Sequence, residues 1–101
     1  MARYLNIDGQ DTPKDIRLLG LALGMDYTKT FRRGKRELFR PLKNRYEARI
    51  YSPDWLEMER RGLVDLISSQ PSQNMQVWAV TSRGKKYLRK HFGVDVLNEG
   101  R

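Results

Sequence analysis

Apolar residues near the beginning of the chain recur at helical spacing. Ile16 and Leu23 lie seven residues apart, with further leucines between them, which is typical of one buried helical face. Thr12 suits the N-cap and Pro13 the first helical position, where no backbone hydrogen bond is lost. Gly24 is a natural C-terminal stop. The pattern predicts a core helix that begins at Pro13 and ends at Gly24.

The next segment, residues 26–49, is predicted to be helical but interrupted. Its apolar side chains, Leu38 among them, are spaced so that they would lie near one face of a helix, and basic side chains occupy the other faces. Gly34 weakens the middle of such a helix, and Pro41 must kink or break it. We therefore expect two helical pieces, or one kinked helix, over residues 34–45.

The pattern of apolar and polar residues changes after residue 49. Ser52 followed by Pro53 is a cap-then-proline signature, which predicts a short helix that Gly62 ends. Residues 63–68 and 76–81 are rich in Val, Ile, Leu and Trp and are predicted to be strands. The polar segment between them contains a proline and is expected to be an exposed hairpin tip.

A last helix is predicted after this hairpin. Thr81 or Ser82 suits its N-cap. Leu88 lies on its apolar face, and Gly93 ends it. Residues 94–101 are then expected to form a flexible tail.

The order of helix, hairpin and helix over residues 56–88 resembles the C-terminal part of winged-helix transcription regulators of the MarR and PadR types. The matching residues are Gly62-Leu63-Val64 and Thr81-Ser82-Arg83-Gly84-Lys85-Lys86-Tyr87-Leu88. The resemblance implies an α+β fold, a small winged-helix-like domain of three to four helices with a two- or three-stranded antiparallel wing sheet. The small size of the chain and this tail also resemble small proteins encoded in phage and prophage genomes.

Length and composition limit the class of protein. At 101 residues the chain is expected to form one domain over residues 1–101. It has no cysteine, which excludes disulfides and thiolate metal sites. No segment has the apolar length of a signal-peptide core or of a membrane span. We therefore expect a cytoplasmic protein without a membrane partner.

The charge is concentrated in two basic blocks. The formal net charge is +8. Residues 29–49 contain nine Lys or Arg against two acids, whereas residues 83–90 contain five Lys or Arg and no acid. The rest of the chain is mildly acidic. Such asymmetry favours a polyanion as the partner, although basic side chains also simply solvate exposed helix faces.

Nucleic acid, and DNA in particular, is the polyanion that these blocks favour. Lys and Arg neutralise phosphates, and Arg and Asn are common readers of guanine and adenine. The residues expected to contact nucleic acid are Lys29, Arg32, Arg33, Lys35, Arg36, Arg40, Lys43, Asn44, Arg45, Arg49, Lys85, Lys86, Arg89 and Lys90. Neighbouring aromatics such as Tyr46 and Tyr51 suit stacking on single-stranded bases, but such residues more often pack in a core.

Catalytic and cofactor signatures are missing from the sequence. His91 is the only histidine, and it stands on a basic helix without the second histidine or cysteine that a metal site needs. Glu57 and Glu59 are close in sequence but face different ways on a helix. We therefore expect neither an enzymatic activity nor a cofactor or metal.

Two functional hypotheses follow. The first is a small nucleic-acid-binding protein of winged-helix type, from a phage, a prophage or a bacterial regulatory system, which the basic block over residues 29–49 favours. The second is a protein–protein interaction module on the same scaffold, such as an adaptor or a phage-encoded inhibitor of a host complex. A wing tip without Lys or Arg favours the second, as do Pro41 and Ser52-Pro53, which interrupt a continuous recognition helix. The sequence leaves the oligomeric state open.

Overall fold

The computed structural model describes residues 12–24, 30–41 and 43–97. They form a small α+β domain with three α-helices and two three-stranded sheets, which confirms the predicted α+β class. In chain order the elements are α1 (Lys14–Leu23), β1 (Thr30–Arg33), β2 (Arg36–Phe39), β3 (Tyr46–Arg49), α2 (Pro53–Arg60), β4 (Val64–Gln70), a 3-10 turn (Pro71–Gln73), β5 (Met75–Val80), α3 (Ser82–Phe92) and β6 (Val94–Val96).

The first helix confirms the predicted apolar face. α1 begins at Lys14, one residue later than predicted, and Pro13 occupies its N-cap position. Ile16 and Leu23 are buried in the core. Gly24 ends the helix as predicted, with a φ of 70° that lies in the left-handed region.

The helix predicted over residues 34–45 is wrong, because residues 30–39 form an antiparallel hairpin of β1 and β2. Its two-residue loop begins at Gly34, whose φ of 64° is the left-handed conformation that tight hairpin loops favour. Phe31 and Leu38, which are seven residues apart, lie directly opposite each other across the hairpin. A seven-residue spacing fits two helical turns as well as a cross-strand pair, and this ambiguity explains the error.

The two sheets differ in topology. In the first, the strand order is β1-β2-β6, and β2 pairs with β1 antiparallel but with β6 parallel. The second is antiparallel, with the order β3-β5-β4. It contains the predicted hairpin, because β4 and β5 match the strands predicted over residues 63–68 and 76–81 to within two residues.

The C-terminal segment differs from the tail expected over residues 94–101. Gly93 ends α3 as predicted, with a φ of 81°, and the chain then continues as β6 beside β2. Val94 is fully buried and Val96 packs against the core. Two valines at alternating positions provide the one apolar face that such a strand requires. Residues 98–101 lie outside the described part of the chain.

Both later helices begin as the sequence predicts. Ser52 occupies the N-cap position of α2 and Pro53 its first turn. Thr81 caps α3, because its Oγ1 accepts a hydrogen bond of 3.0 Å from the amide of Gly84. The same hydroxyl donates a hydrogen bond of 2.6 Å to the carbonyl of Gly62. Thr81 therefore ties the start of α3 to the end of α2.

The core lies where the helices meet both sheets. Trp78 of β5 is fully buried and stacks on Trp55 of α2, with ring centroids 6.1 Å apart. Trp55 in turn stacks on Tyr46 of β3 at 4.9 Å. Leu88 of α3 and Phe39 of β2 are fully buried in the same cluster, so a single core joins the two sheets. None of the helices described has the length and apolarity needed to cross a bilayer.

Candidate nucleic-acid interface

The first basic block lies on the β1–β2 hairpin. Arg33 and Arg36 are directly opposite each other, and Lys35 lies in the loop between them. These three side chains are exposed, as is that of Arg32. Like charges directly opposite each other in a sheet repel and lower its stability. Lys29, predicted with this block, lies outside the described residues.

The second basic block lies on the outer face of α3. Lys86, Arg89 and Lys90 are exposed and Lys85 is half-buried. This placement follows from the helical period, because Leu88 on the opposite face is fully buried. Arg89 and Lys90 lie in the last turn of the helix, where positive charge interacts favourably with the helix dipole.

One carboxylate connects the two blocks. Asp95 of β6 accepts a hydrogen bond of 2.8 Å from Nε of Arg36, and a second one from the same guanidinium. Nε of Arg89 lies 3.4 Å from the other oxygen of Asp95. With Lys35, Glu37 and Gly93 these groups line a shallow pocket of about 200 Å³. Arg36 and Arg89 are far apart in sequence, and the parallel pairing of β2 with β6 brings them together.

Other predicted residues lie between β2 and the end of β3. The guanidinium of Arg40 lies 6.0 Å from the ring centroid of Phe31. Arg45 is exposed and forms an ion pair of 3.0 Å with Glu47. Arg49 is exposed on β3. These side chains form a region of basic surface apart from the residues that line the pocket beside Asp95.

Two residues predicted to contact nucleic acid have roles in the fold. Nδ2 of Asn44 donates a hydrogen bond of 3.0 Å to the carbonyl of Val80, and its Oδ1 accepts one of 2.7 Å from the amide of Val80. The donor–acceptor pair that would read an adenine edge is therefore already engaged, and we assign Asn44 to the fold instead of the interface. The aliphatic part of Lys43 packs beside Gly24 at the end of α1.

A polar cluster that the sequence analysis missed lies between α1 and α3. Asp15 accepts hydrogen bonds from the hydroxyl of Tyr87 at 2.6 Å and from Nη1 of Arg61 at 3.1 Å. Partial burial acts to raise the pKa of Asp15, but the hydrogen bonds from Tyr87, Arg61 and the amide of Ile16 outweigh it and hold the pKa below its usual value. These residues come from distant parts of the chain, so no local pattern marks them.

Among the described residues, three large apolar side chains are exposed to solvent. Tyr51 lies between β3 and α2 and is 71% exposed, and on β4 Leu66 is 39% and Ile67 57% exposed. β4 is an edge strand, and its register against β5 shifts between Leu66 and Ser68. The apolar run over residues 63–68 predicts a strand but does not reveal that the strand lies at an edge.

The described residues include no group of three or more His, Asp or Glu side chains arranged to hold a metal ion. Comparison of the chain with protein-family models, with curated proteins and with solved structures finds no match.

Proposed function

We propose that this protein is a small, non-catalytic nucleic-acid-binding protein that prefers DNA and binds it through one basic surface. The hairpin–α3 surface consists of the exposed basic side chains of the β1–β2 hairpin and of α3, namely Arg32, Arg33, Lys35, Arg36, Lys86, Arg89 and Lys90. Side chains of this charge and number neutralise several phosphates. A regulatory role of phage or bacterial type, in the cytoplasm, fits such a protein.

The observation that carries the proposal is the contact of Arg36 and Arg89 with the same carboxylate of Asp95. It joins two charge clusters, separate in sequence, into one surface. The opposed pair of Arg33 and Arg36 adds to the argument. Such a pair is unfavourable in an isolated hairpin, but a polyanion that approaches the surface stabilises it.

We further propose a winged-helix-like frame for residues 53–92. α2, the β4–β5 hairpin and α3 follow one another in the order of the winged-helix resemblance. Within the described residues three strands separate α1 from α2, so these helices do not form a helix-turn-helix pair. The tip of the β4–β5 hairpin, which includes Ser72 and Gln73, contains no Lys or Arg. Both features favour binding through the hairpin–α3 surface over insertion of α2 into the major groove.

Fluorescence anisotropy with a labelled duplex, and with the matching single strand, at two salt concentrations tests the proposal. The affinity is expected to fall steeply with salt, because bound phosphates release counterions. The double variant Arg33→Ala/Lys35→Ala is expected to lower the affinity at low salt by about tenfold or more. It is also expected to reduce the slope of log K against log salt by about 2, since two phosphate contacts are lost.

A matched control variant removes two positive charges from outside the hairpin–α3 surface. Lys14 and Arg60 are exposed on α1 and α2, so Lys14→Ala/Arg60→Ala is expected to affect binding much less. Equal losses in the two double variants would mean that the total charge, and not the hairpin–α3 surface, determines the affinity. Absence of binding at low salt would overturn the proposal.

A second candidate function, a protein–protein interaction module, is favoured by one observation. The edge strand β4 exposes Leu66 and Ile67, and none of its seven residues is Lys or Arg. In this case a partner should co-purify with the protein and survive nuclease treatment, and Ile67→Ser should release it. Loss of the partner on nuclease digestion would instead mean that nucleic acid formed the bridge.

A further inference from the structure

The contact between Arg36, Asp95 and Arg89 has the form of an occupied anion site. One oxygen of Asp95 faces Arg36 and the other faces Arg89. A phosphate group also has several oxygens that can accept hydrogen bonds from two guanidinium groups at once. The carboxylate of Asp95 therefore occupies the position in which two oxygens of a bridging phosphate would lie.

The exposure of the three side chains shows how a ligand reaches this position. The Asp95 side chain is 17% exposed, whereas those of Arg36 and Arg89 are 64% and 69% exposed. The carboxylate thus lies at the floor of the pocket and the guanidinium groups at its rim, next to Lys35. Because a guanidinium carries five N–H donors, both arginines keep donors on the side that faces solvent.

We propose that Arg36 and Arg89 form a phosphate-binding clamp, with Lys35 at its rim, and that Asp95 is an internal competitor that holds the clamp in the absence of phosphate. The inference rests on the proposed function for its natural ligand, the phosphodiester backbone of nucleic acid. The clamp itself requires only that its ligand carries a phosphate group.

The location of Asp95 explains why it competes and does not simply orient the arginines. β6 is fixed by its pairing with β2 and by the burial of Val94, so the carboxylate stays within reach of both guanidinium groups. Its charge, like that of Glu37 in the same pocket, repels an incoming phosphate. Its carboxylate accepts hydrogen bonds from Arg36 and forms an ion pair with Arg89. Exposed ion pairs are weak, so a phosphate can replace the carboxylate at these donors. Without a ligand, Asp95 offsets the repulsion between Arg33 and Arg36.

Titration of the full chain with inorganic pyrophosphate tests the clamp without nucleic acid. In ¹⁵N-labelled protein, the Nε–Hε signals of Arg36 and Arg89 are expected to shift before those of other arginines. Asp95→Asn preserves the shape of the side chain and removes its charge. It is expected to tighten pyrophosphate binding by about threefold to tenfold, because the two ion pairs no longer compete.

The control Asp65→Asn removes the same charge from an exposed position on β4. An equal gain in Asp95→Asn and Asp65→Asn would overturn the proposal, as would unchanged or weaker binding by a folded Asp95→Asn protein. Arg89→Ala keeps the test valid if Asp95→Asn fails to fold. This variant is expected to weaken pyrophosphate binding and to abolish the shift at Arg36, and retention of both would also overturn the clamp.

A parallel titration with the labelled duplex separates this inference from the proposed function. If pyrophosphate shifts Arg36 and Arg89 but no nucleic acid binds, the clamp is supported and the proposed function fails. If nucleic acid binds but Asp95→Asn changes neither titration, the proposed function is supported and the clamp fails.

Discussion

The hydroxyl of Tyr87 on α3 donates a hydrogen bond of 2.6 Å to the carboxylate of Asp15 in the first turn of α1. Arg61, which directly follows α2, donates to the same oxygen at 3.1 Å and lies over the Tyr87 ring, 5.0 Å from its centroid. All three helices therefore meet at one carboxylate. Because α3 carries part of the hairpin–α3 surface, this cluster also fixes the position of that surface relative to the core.

Replacement of Asp15 is expected to destabilise the fold. Asp15→Asn should lower the free energy of unfolding at pH 7 by about 1–2 kcal/mol, because Arg61 and Tyr87 lose their charged acceptor. Urea unfolding measures the difference. Asp54→Asn is the matched control, since Asp54 is exposed and forms an ion pair of 3.4 Å with Lys14. The control is expected to change the stability by less than about 0.5 kcal/mol, and an equal effect of both variants would contradict the role of the cluster.

The pH dependence of stability provides an independent test of the same carboxylate. Partial burial opposes ionisation of Asp15, but the hydrogen bonds from Tyr87 and Arg61 outweigh it, so the pKa is lower in the folded chain than in the unfolded one. The stabilisation is therefore fully present above the unfolded-state pKa of about 4. It is lost as the pH falls through the folded-state pKa. Below about pH 4 the stability of the parent should fall more steeply than that of Asp15→Asn, and identical slopes would refute this assignment.

Gly84 is expected to be indispensable for the packing of α3. A methyl group at this position would collide with the carbonyl oxygen of Leu63 and press on the side chain of Val80. Gly84→Ala should therefore lower the free energy of unfolding by about 1–3 kcal/mol in spite of the better helix propensity of alanine. Ser82→Ala, at an exposed position in the same turn, should change it by less than about 0.5 kcal/mol. Thermal unfolding of both variants measures the contrast.

The elements that the sequence predicts correctly are those with local signals. The N-cap of α3 at Thr81 and the glycine stops at Gly24 and Gly93 depend on residues within one turn of the helix end. The strands β4 and β5 are predicted by their apolar runs and by the polar tip between them. In each case the decisive interaction spans few residues, so the sequence contains the necessary information.

The β1–β2 hairpin and the clamp show why the rest could not be predicted. The pair of Phe31 and Leu38 has a spacing that a helix and a hairpin share, and the strand pairing in the folded chain decides between them. The approach of Arg36 and Arg89 to Asp95 depends on the register of β2 against β6. Register is set by packing between distant parts of the chain. The positions of the charged residues in the sequence do not reveal it.

The two hydrogen bonds between Asn44 and Val80 lead to a prediction that distinguishes a role of Asn44 in folding from a role in nucleic-acid binding. Asn44→Ala leaves the carbonyl and the amide of Val80 without these partners, and should lower the free energy of unfolding by about 1–3 kcal/mol. Asn44→Asp keeps the acceptor for the Val80 amide but places a carboxylate oxygen against the Val80 carbonyl oxygen, so this variant should also be destabilised. Under conditions in which Asn44→Ala remains folded, its affinity for nucleic acid should equal that of the parent. A large loss of affinity in folded Asn44→Ala would restore Asn44 to the interface.

The backbone of Tyr51 is held in a conformation that is unfavourable for its residue type, and substitution at this position tests how much this conformation lowers the stability. Its φ is 60°, and its amide donates a hydrogen bond of 3.1 Å to Oε1 of the buried Gln76. The ring is largely exposed, so its loss costs little burial. Tyr51→Gly removes both ring and strain, whereas Tyr51→Ala removes only the ring. The glycine variant should therefore be more stable than the alanine variant by about 0.5–1 kcal/mol in urea unfolding. Equal stabilities would mean that the left-handed conformation at Tyr51 carries no strain.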